Sequence, residues 1–282
     1  EHPRVERIVF DGADELARAE LRGVIVTRET RCRGFLLQPI CLVTDWRLVH
    51  VRHFLDREEL RADVLRLRIY YFQRGFRDAS VRSSVRPNGR GVEVVFHIEE
   101  GEPTIVASRD VEQTRDVLSR RQLRRAGLPR EGDRLDLIRL TAGMAQLRSN
   151  LGQRGHLDHA VVDSIAISAD GRNAYLGVRI EPGPRSILAA LDIDGNEGVS
   201  DRTIADALRL RLGRTLRSTD VLASQRSLYE SNLFHEARVR VGEQQDSAKV
   251  LQVQVREAPP RAARIGGGFN TMEFVQLEGR LT

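Results

Sequence analysis

The residues that could do chemistry are few and poorly matched. His50 and His53 sit three apart, as do His156 and His159. Such pairs can supply two metal ligands, but neither has a cysteine or carboxylate at a matching spacing. They read as solvated loop or strand histidines, and no metal site is expected. Glu99-Glu100 and Glu181 have the right type for acid–base work, yet each closes a strand beside a Pro/Gly linker. Gly266-Gly267-Gly268 is not a phosphate loop, because no lysine follows and no helix pattern opens after it. No nucleophile, base and orienting group can be assembled. No catalytic residue and no cofactor are assigned, and the chain is not read as an enzyme. Cys32 and Cys41 lie nine apart. A disulfide there would close a small loop in an oxidising compartment, contributing roughly 2–3 kcal/mol. Two buried thiols are the other reading.

The elements that must position these residues are repeated. Leu55 leads through a helix to Gly75, then two strands around the turn Pro87-Asn88-Gly89-Arg90-Gly91. Leu135 leads through a helix to Gly155, and Leu216 leads through a helix to Asn232. From leading leucine to stop residue the spacings are 20, 20 and 16, a difference of about one helical turn. From stop residue to the glutamate closing the last strand (Glu99, Glu181 or Glu257) they are 24, 26 and 25. Gly75 and Gly155 suit a left-handed closing residue, and asparagine is the next-best choice there.

Composition fits several small cores. The chain has 282 residues, 40% hydrophobic but only 5% aromatic. Net charge is +5 and the pI about 9.8. Lys249 is the sole lysine. Acidic residues interleave with arginine, as in Asp56-Arg57-Glu58-Glu59, so the charge reads as solvated mixed faces rather than a nucleic-acid footprint. No apolar run approaches the ~20 residues of a membrane helix. Glu1-His2-Pro3-Arg4 opens with charge rather than an apolar leader core, which fits a cytoplasmic chain or a mature segment.

Each repeat begins with a strand and a shorter helix. Arg4–Asp11 alternates, with Val5, Arg7 and Val9 on one side and Glu6, Ile8 and Phe10 on the other. Asp14–Gly23 predicts a short helix. Thr27–His53 fits no period and reads as an insertion. The helix Asp56–Arg74 carries Leu60, Val64, Leu67 and Tyr71, with Leu65, Ile69 and Phe72 widening the stripe. Strands Arg77–Arg86 and Val92–Glu99 follow. The second copy is strand Glu102–Val111, helices Gln113–Ala126 and Leu135–Arg154, and strand His159–Ser168 before the one ending at Glu181. The third is strand Ile187–Ile193, a helix capped by Ser200, helix Leu216–Ser231 and two strands ending at Glu257. Ser218 or Asp220 caps its second helix, with Val221, Leu222, Leu228 and Tyr229 inward.

Tandem β-α-α-β-β units with Tyr71-x-x-x-Gly75-Phe76 and Leu228-Tyr229-x-x-Asn232-Leu233-Phe234 resemble polypeptide-transport-associated (POTRA) domains. Asp194-Gly195-Asn196 and Phe10-Asp11-Gly12 add to the resemblance. Arg264-Ile265-Gly266-Gly267-Gly268-Phe269-Asn270-Thr271 is similar to the first barrel strand of the outer-membrane-protein assembly (BamA/TamA-type) family. The insertion, Leu151 in place of a tyrosine, and Asn232 depart from the pattern. The resemblance implies an α+β fold of three tandem β-α-α-β-β domains, each a three-stranded mixed sheet with two helices on one face. They span 1–100 with the insertion at 27–53, then 101–183 and 184–258. The start of a β-barrel follows at 259–282.

It further implies the bacterial outer membrane, reached through a C-terminal barrel, with this segment in the periplasm. Unfolded outer-membrane proteins would be clients, with periplasmic or inner-membrane proteins as further partners, and no nucleic acid. Family topology puts the strand after each helix stop at a sheet edge, where an extended client can pair. The edges are Arg77–Arg86, His159–Ser168 and Glu236–Val241, represented by Val81 and Val85, Val161 and Ile165, and Val239 and Val241. A two-partner secretion transporter's module is the nearest rival function, and a basic nucleic-acid-binding repeat protein the rival of another class.

Overall fold

The computed structural model describes residues 3–32, 50–89, 91–242, 247–258, 263–268 and 276–281, with Cys32, His50 and the last two stretches by backbone alone. The chain divides into two compact units whose boundary runs through the second repeat.

In the first unit, β1 (Val5–Asp11), β4 (Ser80–Asn88) and β5 (Gly91–Glu99) form a sheet of order β1-β5-β4. β5 is parallel to β1 and antiparallel to β4. The Val92–Ile98 run is β-branched and apolar, which suits a middle strand packed on both edges. Helices α1 (Arg18–Val24) and α2 (Arg57–Gln73) supply Leu21, Leu67 and Tyr71 to a core with Ile8, Phe10, Val94 and Phe96. Phe10 stacks on Phe96 at 5.5 Å. Asp56 caps α2, accepting from the Glu58 amide at 2.8 Å.

Three expectations change in this unit. A register shift between Val5 and Arg7 breaks the alternation of β1, so Val5, Ile8 and Phe10 all face the core. Leu65, Ile69 and Phe72 do not widen the buried stripe: they are 56%, 48% and 41% exposed, because the sheet is only three strands wide. The outer strand starts at Ser80, not Arg77, since Arg77 and Asp78 turn the chain out of the helix stop. The insertion is closed at its base by β2 (Arg31–Cys32) pairing with β3 (His50–Val51). Its interior lies outside the described residues, as does the pairing of Cys32 with Cys41.

The second repeat contributes β6 (Ile105–Gln113), β7 (Ala160–Ile167) and β8 (Asn173–Glu181), in the order β6-β8-β7. Its long helix α4 (Leu137–Gln153) buries Leu140, Met144, Leu147 and Leu151. The helix expected at Gln113–Ala126 shrinks to α3 (Arg120–Arg125). Gln113 ends the strand instead, and its side-chain amide both donates to the Leu118 carbonyl and accepts from the Leu118 amide, holding a loop.

In the second unit, β9 (Ile187–Asp194), β10 (Phe234–Val241) and β11 (Ala248–Glu257) form a sheet of order β10-β11-β9. Helices α5 (Asp201–Leu208) and α6 (Ser218–Glu230) close its core through Ile204, Leu208 and Leu228. Ser200 caps α5 through the Thr203 amide, as expected. At α6 the N-cap is Arg217, whose amide donates to Asp220 Oδ2 at 3.1 Å. Leu222 and Tyr229 were expected inward but are 69% and 45% exposed. Finally β12 (Ala263–Gly268) and β13 (Gln276–Leu281) pair antiparallel with each other. The fold is therefore α+β, three three-stranded mixed sheets in tandem, each with helices against it.

Candidate functional site

Each three-stranded sheet leaves the strand after the long helix on its outside: β4, β7 and β10. Their inward side chains belong to the core, so these strands present backbone rather than side-chain chemistry. Val81, Val161 and Val239 are buried. Val85 is exposed, while Ile165 and Val241 are half-buried.

The three outer strands are not equally open. Beside β4 runs a groove of about 810 Å³ between that strand and the start of α2. Ser83, Val85 and Pro87 line one wall; Asp56, Leu60 and Arg61 line the other. Arg61 is paired with Glu58 at 2.8 Å and Arg82 with Glu99 at 2.5 Å, so opposite charges offset both arginines. At β7 the Val161 carbonyl already accepts from Arg148 Nη2 at 2.8 Å. On β10, Glu236 and Arg238 pair with each other at 2.5 Å along the strand.

The carboxylates at the strand ends are structural. Glu100 accepts from the Tyr71 hydroxyl at 2.9 Å and from the Glu15 amide. Burial raises the pKa of the Tyr71 phenol, and the bond to Glu100 raises it further. Glu257 accepts from the amides of Glu197, Gly198 and Val199. Those bonds hold its carboxyl below the ordinary range. In both domains a carboxylate at the end of the middle strand clamps the loop that leaves the first strand. Asp63, passed over in the helical stripe, is wholly buried and accepts from the Val26 and Thr27 amides and from Arg66.

The rings of His156 and His159 hold backbone. His156 is buried with Nδ1 3.2 Å from the Gly183 carbonyl, and His159 Nδ1 is 2.7 Å from the His156 carbonyl. The His53 amide donates to Thr30 Oγ1 at 3.2 Å. Among the described residues no group of three or more His, Cys, Asp or Glu could hold a metal.

Sequence reasoning missed one constellation. Ser84 Oγ lies 2.9 Å from His97 Nε2, and His97 Nδ1 lies 3.1 Å from Asp11 Oδ2. The three residues come from β4, β5 and β1, side by side across the open face of the first sheet. Pairing of Asp11 with His97 brings two of them level; the signal is the register, which no local pattern reveals. The order of contacts is that of a hydrolytic triad. Alternation along β4, however, points Ser84 to the face opposite Ser83 and Val85, and so away from the groove.

The helix-stop residues share one conformation. Gly75, Gly155 and Asn232 have φ of 95°, 85° and 56°. In each the left-handed residue ends the helix and sends the chain into the outer strand.

Three-stranded sheets with the last strand in the middle, a helix layer and a left-handed helix stop define a class of small α+β modules strung in tandem. Residues 3–101 match the POTRA family model, described as the surface antigen variable number repeat. The fold is similar to POTRA domains 3–5 of Haemophilus influenzae BamA, with a TM-score of 0.53 and 16% identity over 91% of this chain and 97% of that one. It is also similar to Haemophilus ducreyi BamA lacking POTRA domains 1–3, with a TM-score of 0.52 and 13% identity over 63% of this chain and 34% of that one. The first domain therefore matches the POTRA family, and the chain as a whole has the fold of tandem POTRA domains. No helix among the described residues is long and apolar enough to cross a membrane, which leaves strands out of account.

Proposed function

We propose that this array is the periplasmic part of a BamA-type outer-membrane assembly or translocation factor, and that it receives unfolded outer-membrane proteins by strand addition at β4. The observation carrying this reading is the outer strand Ser80–Asn88, which pairs on one side only and borders the groove with α2. An extended client would pair its backbone with the unpaired N–H and C=O groups of β4, and alternate side chains would enter the groove. The likeness to BamA POTRA domains supports the reading. β7 and β10 are secondary edges, β7 the weaker because Arg148 occupies one carbonyl. The hairpin β12–β13 is read as the start of the barrel. Periplasmic or inner-membrane proteins are further partners, and neither metal nor cofactor takes part. Ser84, His97 and Asp11 act as a polar ladder across three strands, not as a catalytic centre.

The test is a proline scan over Arg82–Arg86 in the 282-residue chain, each variant checked for fold by circular dichroism. Capture is read by cross-linking to denatured barrel precursors. In an edge strand alternate amides face outward, so alternate prolines keep the fold and abolish capture. Native capture by every folded proline variant overturns strand addition at β4. Capture of a single exported protein, with denatured barrels ignored, overturns the assembly role in favour of a secretion transporter.

A further inference from the structure

The helix-stop glycines do more than turn the chain. The Gly75 carbonyl accepts from the Thr104 amide at 2.8 Å, and the Gly155 carbonyl accepts from the Ser186 amide at 2.7 Å. Thr104 and Ser186 are both buried, and each begins the next domain. Each is stapled to the residue leading into that domain's long helix: Leu135 donates to the Thr104 carbonyl, and Leu216 to that of Ser186. The stapled loop then rests on the glycine. A Cβ on Gly75 would stand 2.7 Å from the Leu135 carbonyl oxygen, and one on Gly155 would stand 2.3 Å from Thr215 Cγ2. Both distances are far inside van der Waals contact.

A charge pair spans each of these contacts. Arg74 Nη1 meets Asp136 Oδ2 at 2.7 Å beside Gly75, where the Arg134 guanidinium also lies over the Phe76 ring at 4.8 Å. Beyond Gly155, Lys249 Nζ meets Asp158 Oδ2 at 2.6 Å, with the lysine side chain fully buried. At the third helix stop Asn232 is exposed, and a loop seated as the other two are would collide with its side chain. At the first domain Pro3 holds the place of Thr104 and Ser186, since its carbonyl accepts from Leu55, but proline has no amide hydrogen to donate.

We propose that Gly75 and Gly155 are domain-joint residues, kept bare so that the following domain can seat on them, and that Arg74–Asp136 and Asp158–Lys249 lock the two joints. Among the described residues this type of joint occurs twice, between the first and second domains and between the second and third.

Asn232 supplies the means of testing it, because it shows that asparagine serves as the helix stop in this fold. Gly75→Asn and Gly155→Asn place there the residue after glycine that best tolerates a left-handed turn, and add the colliding side chain. Hydrogen exchange at single amides of the full chain, followed by NMR, reads the joints. Gly75→Asn is expected to speed exchange at Thr104 at least tenfold and leave Ser186 unchanged. Gly155→Asn does the converse, and Asn232→Gly changes neither. Thr215→Ala, which removes the atom nearest the new side chain, restores protection of Ser186 in the Gly155→Asn background. Lys249→Met speeds exchange at Ser186 alone. Native protection of Thr104 and Ser186 in the glycine variants overturns the joint. Unfolding of both variants, with no rescue by Thr215→Ala, also overturns it, since glycine would then be needed within its own domain. Native protection in Lys249→Met overturns the lock.

Discussion

Asp63 and Glu257 are carboxylates that bind the chain's own backbone. Removing the Asp63 side chain strands the Val26 amide and the buried Thr27 amide and frees Arg66. Asp63→Ala is expected to cost about 3 kcal/mol of first-domain stability in urea unfolding, with Asp63→Asn intermediate. Glu257 predicts a pH dependence. Its folded pKa lies below the ordinary 4.5, chiefly because the Val199 and Glu197 amides donate to it. A depressed folded value gives stability that is present above the unfolded pKa and lost as pH falls through the folded one. The third domain should therefore weaken below pH 4.5, and Glu257→Gln should flatten that acid slope in melting curves. Little of this was legible in sequence. Asp63 reads as a polar interruption between Leu60 and Leu67, because its partners lie 36 and 37 residues away. Glu257 and Glu99-Glu100 did announce a structural role by closing strands, though not which loops they hold.

At the scale of elements, the periodic features were legible and the width of the buried surface was not. Helix stops are local: a left-handed residue after an apolar stripe has one reading, and Gly75, Gly155 and Asn232 all adopt it. Stripe width depends on how much sheet lies beneath. Three strands cover one helix face, which leaves Leu65, Ile69 and Phe72 on α2 and Leu222 and Tyr229 on α6 outside. The ladder Ser84–His97–Asp11 also belongs here, since it needs three strands in register. Read as structure, it contributes roughly 1 kcal/mol per bond. Ser84→Ala should lower stability by about that much and leave client capture intact. A fluorophosphonate should not label Ser84, and labelling would sink the structural reading.

At the scale of the molecule, tandem repetition was the strongest sequence signal, because the three spacings agree without any structure. The contacts between successive domains were invisible, since they join positions 29 to 91 residues apart, such as Gly75 with Thr104 and Asp158 with Lys249. They also differ in kind. Arg74 and Asp136 keep some solvent access, whereas Lys249 keeps none. Loss of a partner is costlier at the second joint, because it leaves an ammonium buried and unpaired. Asp158→Ala should destabilise the second and third domains by about 3 kcal/mol, and Lys249→Met by less. Calorimetry of the full chain reads the difference.

The burial of Lys249 has a practical side. It is the chain's sole lysine, so its side-chain amine is the only one a reagent can find. An amine-reactive ester should leave position 249 of the folded chain untouched. Acylation there would require the second joint to open first. Its rate, measured by mass spectrometry without any introduced probe, is a clock for that opening.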